Sequence, residues 1–308
     1  MLAAHSFTIP IAAALQALLQ LCVDIIMTSI NNSNGYSFEV FPPKKDDEFD
    51  RAYEVLNALG ELNPDFISVT YGAGGSRSKK TVEMASYIQN SLHIDALAHM
   101  TCVGCKKEEL ISLCDELAAN NVKHILALRG DRPKDMTDEQ YNSREFTYAS
   151  DMISFLREHT DFNIAGACYP EKHFESFSME SDLNNLKIKQ DAGASFFITQ
   201  MFFDNDAFYS FRERLDKKGI TVPVHAGVMP ITSAKQLGTT VSLSGSSIPK
   251  PLADLFAKYS DSPEDMRKAG IDYAIRQIRD LKVNGVNDIH MYTMNKPKTA
   301  AEIVEAIG

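Results

Sequence analysis

The chain has no surplus of positive charge: 31 Lys and Arg stand against 41 Asp and Glu, for a net charge of −10 and a pI of about 5.3. Such a surface repels a phosphate backbone, which argues against nucleic acid as a partner and leaves room only for a local basic pocket holding an anionic small molecule. Nor is there an even cysteine framework. The five cysteines, at 22, 102, 105, 114 and 168, are irregularly spaced, and an odd number suits a reducing compartment, the cytoplasm. Long apolar runs are also missing. Residues 8–23 (TIPIAAALQALLQLCV) are apolar, yet a membrane span needs about 20 such residues. Asp24 follows the run, and no Lys or Arg precedes it as a secretory signal requires. No membrane partner is expected. The segment reads as an amphipathic helix packed outside the fold, or as an extension ahead of a natural start at Met27. A dinucleotide fingerprint is absent too: in YGAGGS (71–76) Arg77 takes the place of the third glycine of G-x-G-x-x-G. Those glycines mark a tight turn where backbone can approach a ligand. Finally, no low-complexity linker or composition break divides the chain, so one domain is the economical reading.

What is present is rhythm. Short apolar, β-branched runs recur at 36–41, 66–70, 96–101, 124–129, 164–169, 196–202, 223–229 and 288–293. Their near-continuous apolar character suits strands buried on both faces of a parallel sheet. Between them, helical spacing runs over 47–60, 79–90, 107–120, 149–159, 179–192, 205–218 and 263–283. A β/α barrel needs roughly 250 residues, and the 308 here hold one. The expectation is an α/β fold: a single (β/α)8 TIM barrel over 36–308, preceded by an extension over 1–35 that is helical or partly disordered. Two stretches break the rhythm. Residues 131–147 form a long polar loop, and 238–262, with Gly, Ser and Pro clusters, read as an irregular connection.

In such barrels the active site lies at the C-terminal ends of the strands. Those ends carry Glu39, Thr70, His99, Arg129 with Asp131, Tyr169, Gln200 and Tyr292. Taken singly, each reads better as a satisfied core or rim polar residue; their convergence on one mouth points to an enzyme. Glu39 is the sharpest, because burial in an apolar strand raises a carboxyl pKa and makes a proton donor near neutral pH. Pro42–Pro43 end its strand, setting Glu39 near the mouth. Asp131 competes with a simple Arg129–Asp131 salt bridge. Lys189 shares a helix face with Asp182 and Asn185, and on the residues alone reads as solvated helix surface. His99, Cys102 and Cys105 spell H-x-x-C-x-x-C, part of a zinc site and the basis of a rival reading as a zinc-dependent barrel methyltransferase. Without a second ligand pair, two small buried thiols and a rim histidine are the better account.

Read together, SFEVFPPK, ISVTYGAGGS, AHMTC, HILALRGDRP, YASD, CYPEKH, DLNNLKIKQDAGASFFITQMFFD and HMYTMNK resemble, in that order, the methylenetetrahydrofolate reductase family, over residues 36 to about 300. The resemblance implies a barrel that binds FAD noncovalently, takes hydride from NADH or NADPH, and reduces 5,10-methylenetetrahydrofolate to 5-methyltetrahydrofolate in one-carbon metabolism and methionine supply. It implies Glu39 as general acid and Asp131 as the carboxylate between flavin and pterin, stabilising a cationic intermediate. Gln200 and Tyr292 fall on substrate-contacting positions, and Lys296 on the position that bears on the folate's glutamate tail. Thr70, His99, Arg129, Asp131, Tyr148, Tyr169, His173, Asp182, Asn185 and Lys189 fall on flavin-contacting positions, Lys189 as a cation for the FAD phosphates. Two features depart from the pattern. Gly238-Thr239-Thr240 stands where an aromatic is expected, and Lys296 stands where relatives often carry Arg, whose fork Lys lacks. A homo-oligomer is the expected assembly. The chain ends at Gly308, so control by the regulatory domain of larger eukaryotic enzymes is not expected.

Overall fold

A computed structural model describes residues 34–71 and 75–308. The expectations for 1–33 and for Gly72–Gly74 of the YGAGGS turn lie outside the described residues. Within the compact unit Gly35–Gly308, eight parallel strands close into a barrel in chain order. They are β1 (Tyr36–Val40), β2 (Phe66–Val69), β3 (Asp95–Thr101), β4 (His124–Leu128), β5 (Asn163–Cys168), β6 (Phe196–Thr199), β7 (Val224–Val228) and β8 (Ile289–Tyr292). Closure is made by β1 on β8, with Tyr36 opposite Ile289 and Glu39 opposite Tyr292. The barrel expected from the strand rhythm is therefore present.

The helices that follow the strands are α1 (Phe49–Gly60), α2 (Gly75–Asn90), α3 (Lys107–Ala119), α4 (Asp138–Asn142), α5 (Ala149–His159), α6 (Met179–Asp191), α7 (Asn205–Lys218), α8 (Ala234–Ser244), α9 (Lys250–Tyr259), α10 (Pro263–Val283) and α11 (Pro297–Ile307). Side chains alternate along each strand. One set, including Phe38, Val40, Ile67, Met100 and Ile125, meets helix residues such as Leu56, Ile88, Leu117 and Leu156 in a continuous apolar layer. The other set fills the interior with Leu97, Leu126, Ala165 and Ile198, joined by Phe66 and Phe196. Burying each large side chain contributes about 1.5–3 kcal/mol. This double burial is why the strands read as near-continuous apolar runs.

The segment 238–262 is not the irregular connection expected. It holds most of α8 and all of α9; Gly245 and Pro249 sit at helix ends, while Gly238 lies within α8. Ser233 caps α8 by accepting from the Gln236 amide, and Gly245 closes it in the left-handed region at φ 70°. Pro249 is the N-cap of α9, where a missing N–H costs nothing. The apolar faces of α8 and α9 then pack Leu237, Leu252 and Phe256 with Phe203, Met229, Ile231 and Met266 in a second cluster. The polar loop 131–147 likewise contains one short helix, α4, started by a reciprocal Thr137–Gln140 capping box.

Candidate active site

Glu39 is the fourth residue of β1 and points into the barrel, its side chain 21% exposed. Its Oε2 lies 3.5 Å from His99 Nε2 on β3 and 3.9 Å from His290 Nε2 on β8. Below it, Ser37 Oγ lies 2.8 Å from His290 Nδ1, and Ser68 Oγ lies 3.3 Å from His290 Nε2. Burial raises the Glu39 carboxyl above its ordinary pKa, and the nearby His99 offsets only part of that rise. Burial also pushes His99 down to about 4, against the pull of Glu39, and His290 down to about 3. At neutral pH both imidazoles are therefore uncharged, and the close approach is not an ion pair. With no cation beside it, the carboxyl holds its proton more tightly than an ordinary glutamate.

His290 is the residue that reading strand ends missed. Period-two alternation sets it on the same face as Tyr292, one layer deeper, which is the signal that finds it. Tyr292 donates its hydroxyl to the Thr199 carbonyl at 2.6 Å. Its ring fits because position 227 is glycine: a Cβ there would lie 2.4 Å from Thr199 O and 2.8 Å from Tyr292 Cε2. Burial raises the Tyr292 pKa, with further contributions from Glu39 and Tyr169. That places the β1 and β5 ends at one mouth. Gln200, just past β6, accepts from the Met201 amide with its own Oε1 at 3.0 Å. Thr70 is half-buried at the end of β2, and its carbonyl accepts from Thr81 Oγ1 at 3.0 Å.

A second group surrounds the β4 and β5 ends. The Arg129–Asp131 salt bridge weighed from sequence does not form. Arg129 instead pairs in two-pronged fashion with Glu175 of the β5–α6 loop, Nη1 to Oε2 and Nη2 to Oε1. Gly130 takes φ 82°, and a Cβ there would lie 2.8 Å from Thr101 Cβ, so only glycine carries the chain past the end of β3 to Asp131. Asp131 is exposed. Buried Asp182 braces the β5–α6 loop, accepting from the His173 amide at 3.1 Å and Ser176 Oγ at 2.7 Å. His173 meets Tyr169 edge-on at 4.6 Å and stacks on Phe174 at 4.6 Å. Burial raises the Tyr169 hydroxyl to about 12.

Lys189 is not solvated helix surface. Its Nζ turns in from α6 and donates to the Ala167 carbonyl at 2.8 Å, and burial lowers its pKa. Three further positions are not gathered into either group. Asn185 is exposed on α6, Tyr148 is 61% exposed at the N-cap of α5, and Lys296 reaches Thr232 Oγ1 at 3.0 Å from the N-cap of α11. In the segment where an aromatic was expected, Thr240 is buried with its hydroxyl 3.4 Å from Met229 Sδ.

The zinc reading finds no geometry. His99 faces the interior with Glu39, whereas Cys102 joins the outer apolar layer. Burial raises the Cys102 and Cys105 thiols to about 12 and about 11, the opposite of what a metal-binding thiolate needs. Among the described residues no group of three His, Cys, Asp or Glu could hold a metal ion, and no helix is long and apolar enough to cross a membrane.

Comparison with known proteins adds a family. Residues 25–308 match the one described as methylenetetrahydrofolate reductase. The 5,10-methylenetetrahydrofolate reductase of Pectobacterium carotovorum subsp. carotovorum is 34% identical over 272 residues, 88% of this chain and 89% of that protein. The Escherichia coli (strain K12) protein of the same name is 33% identical over 282 residues, covering 92% and 93%. Methylenetetrahydrofolate reductase (NADH) 1 of Arabidopsis thaliana is 32% identical over 285 residues, 89% of this chain and 48% of that protein. Among solved structures, a Clostridium thermocellum protein that binds two copies of 5-methyl-5,6,7,8-tetrahydrofolic acid shares the fold, with a TM-score of 0.65 at 16% identity over 91% of this chain and 96% of that one.

Proposed function

The chain belongs to the methylenetetrahydrofolate reductase family, and from that premise we propose how its own residues divide the work. It is a flavin-dependent enzyme that reduces 5,10-methylenetetrahydrofolate. The finer reading is that the flavin is FAD, held without a covalent bond, and that a nicotinamide nucleotide reduces it. NADH is the first reductant to test, as the Arabidopsis relative's name suggests, with NADPH the alternative.

The residues present fit such a cofactor. His99 Nε2 is buried without a hydrogen-bond partner, a polar atom available to a ligand at the mouth. Arg129 and Lys189 supply cations for phosphates beside Tyr169 and His173. Thr70, Asp131, Tyr148, Asp182 and Asn185 complete the proposed set, Asp182 acting by fixing the loop that carries His173. When bound, the flavin supplies the hydride; the chain supplies the proton and the environment.

The observation that carries the mechanism is Glu39, its carboxyl pKa raised by burial, with two uncharged imidazoles 3.5 and 3.9 Å from it. We assign it as the general acid that protonates a ring nitrogen of the folate, opening the five-membered ring to an iminium. Asp131, exposed beside the β4 end, stabilises that cation electrostatically. Tyr292 and Gln200 orient the pterin, and Lys296 attracts the glutamate tail as a point charge. The same reading places the enzyme in a reducing compartment, the cytoplasm, in keeping with the unpaired Cys102, Cys105, Cys114 and Cys168. Assembly as a homo-oligomer belongs to the proposal and rests on the family resemblance. The test is the visible spectrum of the purified protein, with anaerobic bleaching by each nucleotide. A colourless protein that takes up no FAD would end this reading.

A further inference from the structure

Neither the motifs nor the family assignment gives a role to Glu175, yet its carboxylate occupies the most useful cation at the mouth. Arg129 donates both terminal nitrogens to it, with Nη2 3.1 Å from Oε1. The remaining edge of the guanidinium is also engaged, since Nε donates to the Gly130 carbonyl at 3.3 Å. A guanidinium binds a phosphate best with two parallel N–H groups. Here the end-on pair of donors is held by Glu175, and the side-on pair is half taken by the backbone.

Glu175 is not on a loose loop. Lys172 Nζ donates to the His173 and Ser176 carbonyls at 2.9 and 2.7 Å, while Asp182 holds the His173 amide and the Ser176 hydroxyl. The Glu175 amide itself donates to His173 Nδ1 at 3.1 Å. On the far side, Glu171 accepts from the Ser247 amide at 3.1 and 3.2 Å, tying the same loop to the α8–α9 connection. The loop is thus braced at its base, at Asp182, and across the mouth. Glu175 is the one carboxylate in it aimed at Arg129.

We propose that Glu175 competes with the anionic cofactor for Arg129, so that this carboxylate sets how tightly the flavin's phosphates are held. The inference rests on the reading of Arg129 as a cofactor contact. Two effects act in the same direction. A bound phosphate must share or displace the two-pronged partner, and it must approach a like charge that the pairing itself keeps ionised. Glu175→Gln keeps the size and one acceptor but removes the charge, so Arg129 stays oriented while the competitor weakens.

Dilution of the holoenzyme, followed by flavin fluorescence, reads the FAD dissociation constant for five proteins: wild type, Glu175→Gln, Glu175→Ala, Arg129→Gln and the Glu175→Gln, Arg129→Gln double variant. FAD should bind about tenfold more tightly to Glu175→Gln, the worth of roughly one charge-assisted hydrogen bond. Glu175→Ala, which removes the acceptor altogether, should tighten binding at least as far. In the Arg129→Gln background the Glu175 substitution should change little, because the competition has lost its object. Weaker FAD binding by both Glu175 variants would overturn the proposal and make Glu175 a support for Arg129. Equal tightening with and without Arg129 would overturn it as well, reducing Glu175 to a diffuse charge. Unchanged binding in Arg129→Gln alone would remove Arg129 from the cofactor site, a separate failure that takes the proposal with it.

Discussion

His99 Nε2 lies 3.5 Å from Glu39 Oε2, and it has no hydrogen-bond partner although it is buried. Burial favours the uncharged form of both, raising the acid above its usual pKa and lowering the base to about 4. The pair costs stability, which is the expected signature of a site shaped for chemistry.

That cost predicts a sign. The unfolded Glu39 carboxyl ionises near pH 4.3, while the folded one holds its proton to higher pH. Stability from this group is therefore full below the unfolded value and is lost as pH rises through the folded value. Glu39→Gln should unfold at higher urea than the wild type at pH 8, with the gain shrinking toward pH 4. A destabilised variant at pH 8 would contradict the raised pKa.

The histidines give the opposite slope. With His99 and His290 at about 4 and about 3 when folded, the unfolded chain binds more protons below about pH 6.5. Stability is present above that value and falls as pH falls through the window, by about 1–2 kcal/mol per histidine at pH 5. Urea midpoints at pH 7 and 5 measure it, and His290→Gln should flatten the difference. An unchanged slope in that variant would mean that His290 is not buried neutral.

Lys189 has become a mixed case. Its amine sits on the Ala167 carbonyl inside the α6–β5 contact, so Lys189→Ala should cost about 1–3 kcal/mol of stability as well as weaken FAD retention. Had the lysine been helix surface, stability would not move. Denaturation of the protein freed of flavin separates the two effects.

Gly227→Ala should be severe. The added Cβ would meet Thr199 O and the Tyr292 ring, and overpacking of this kind costs typically 1–3 kcal/mol. The folate KM should rise along with the lost stability, because the tyrosine must move. A folate KM equal to the wild type's would detach Tyr292 from the substrate.

The barrel was legible because the strands are largely buried on both faces, which leaves short apolar runs that recur between helical segments. The run at 36–41 overshot β1 by Phe41 alone, and the run at 196–202 overshot β6, which ends at Thr199 just before Gln200. What escaped was anything decided in three dimensions. Gly245 and Pro249 read as loop but are helix ends, since a breaker in sequence does not say which side of it is helical. Lys189 shares spacing with Asp182 and Asn185, yet spacing does not say which face meets the barrel. Glu175 sits in an unremarkable polar loop, and only the fold brings it to Arg129, 46 positions away.

The most direct test is to separate the two half-reactions in Glu39→Gln by anaerobic rapid mixing at the flavin band. Reduction of flavin by NADH or NADPH needs no proton for folate, and should stay near the wild-type rate. Oxidation of reduced flavin by 5,10-methylenetetrahydrofolate should slow by at least about 10²–10⁴, the usual contribution of general acid catalysis. Asp131→Asn should slow the folate step only partially, since it removes charge and leaves the proton donor in place. Equal damage to both half-reactions by Glu39→Gln would show a residue that shapes the site rather than one that protonates the substrate, and would contradict the account.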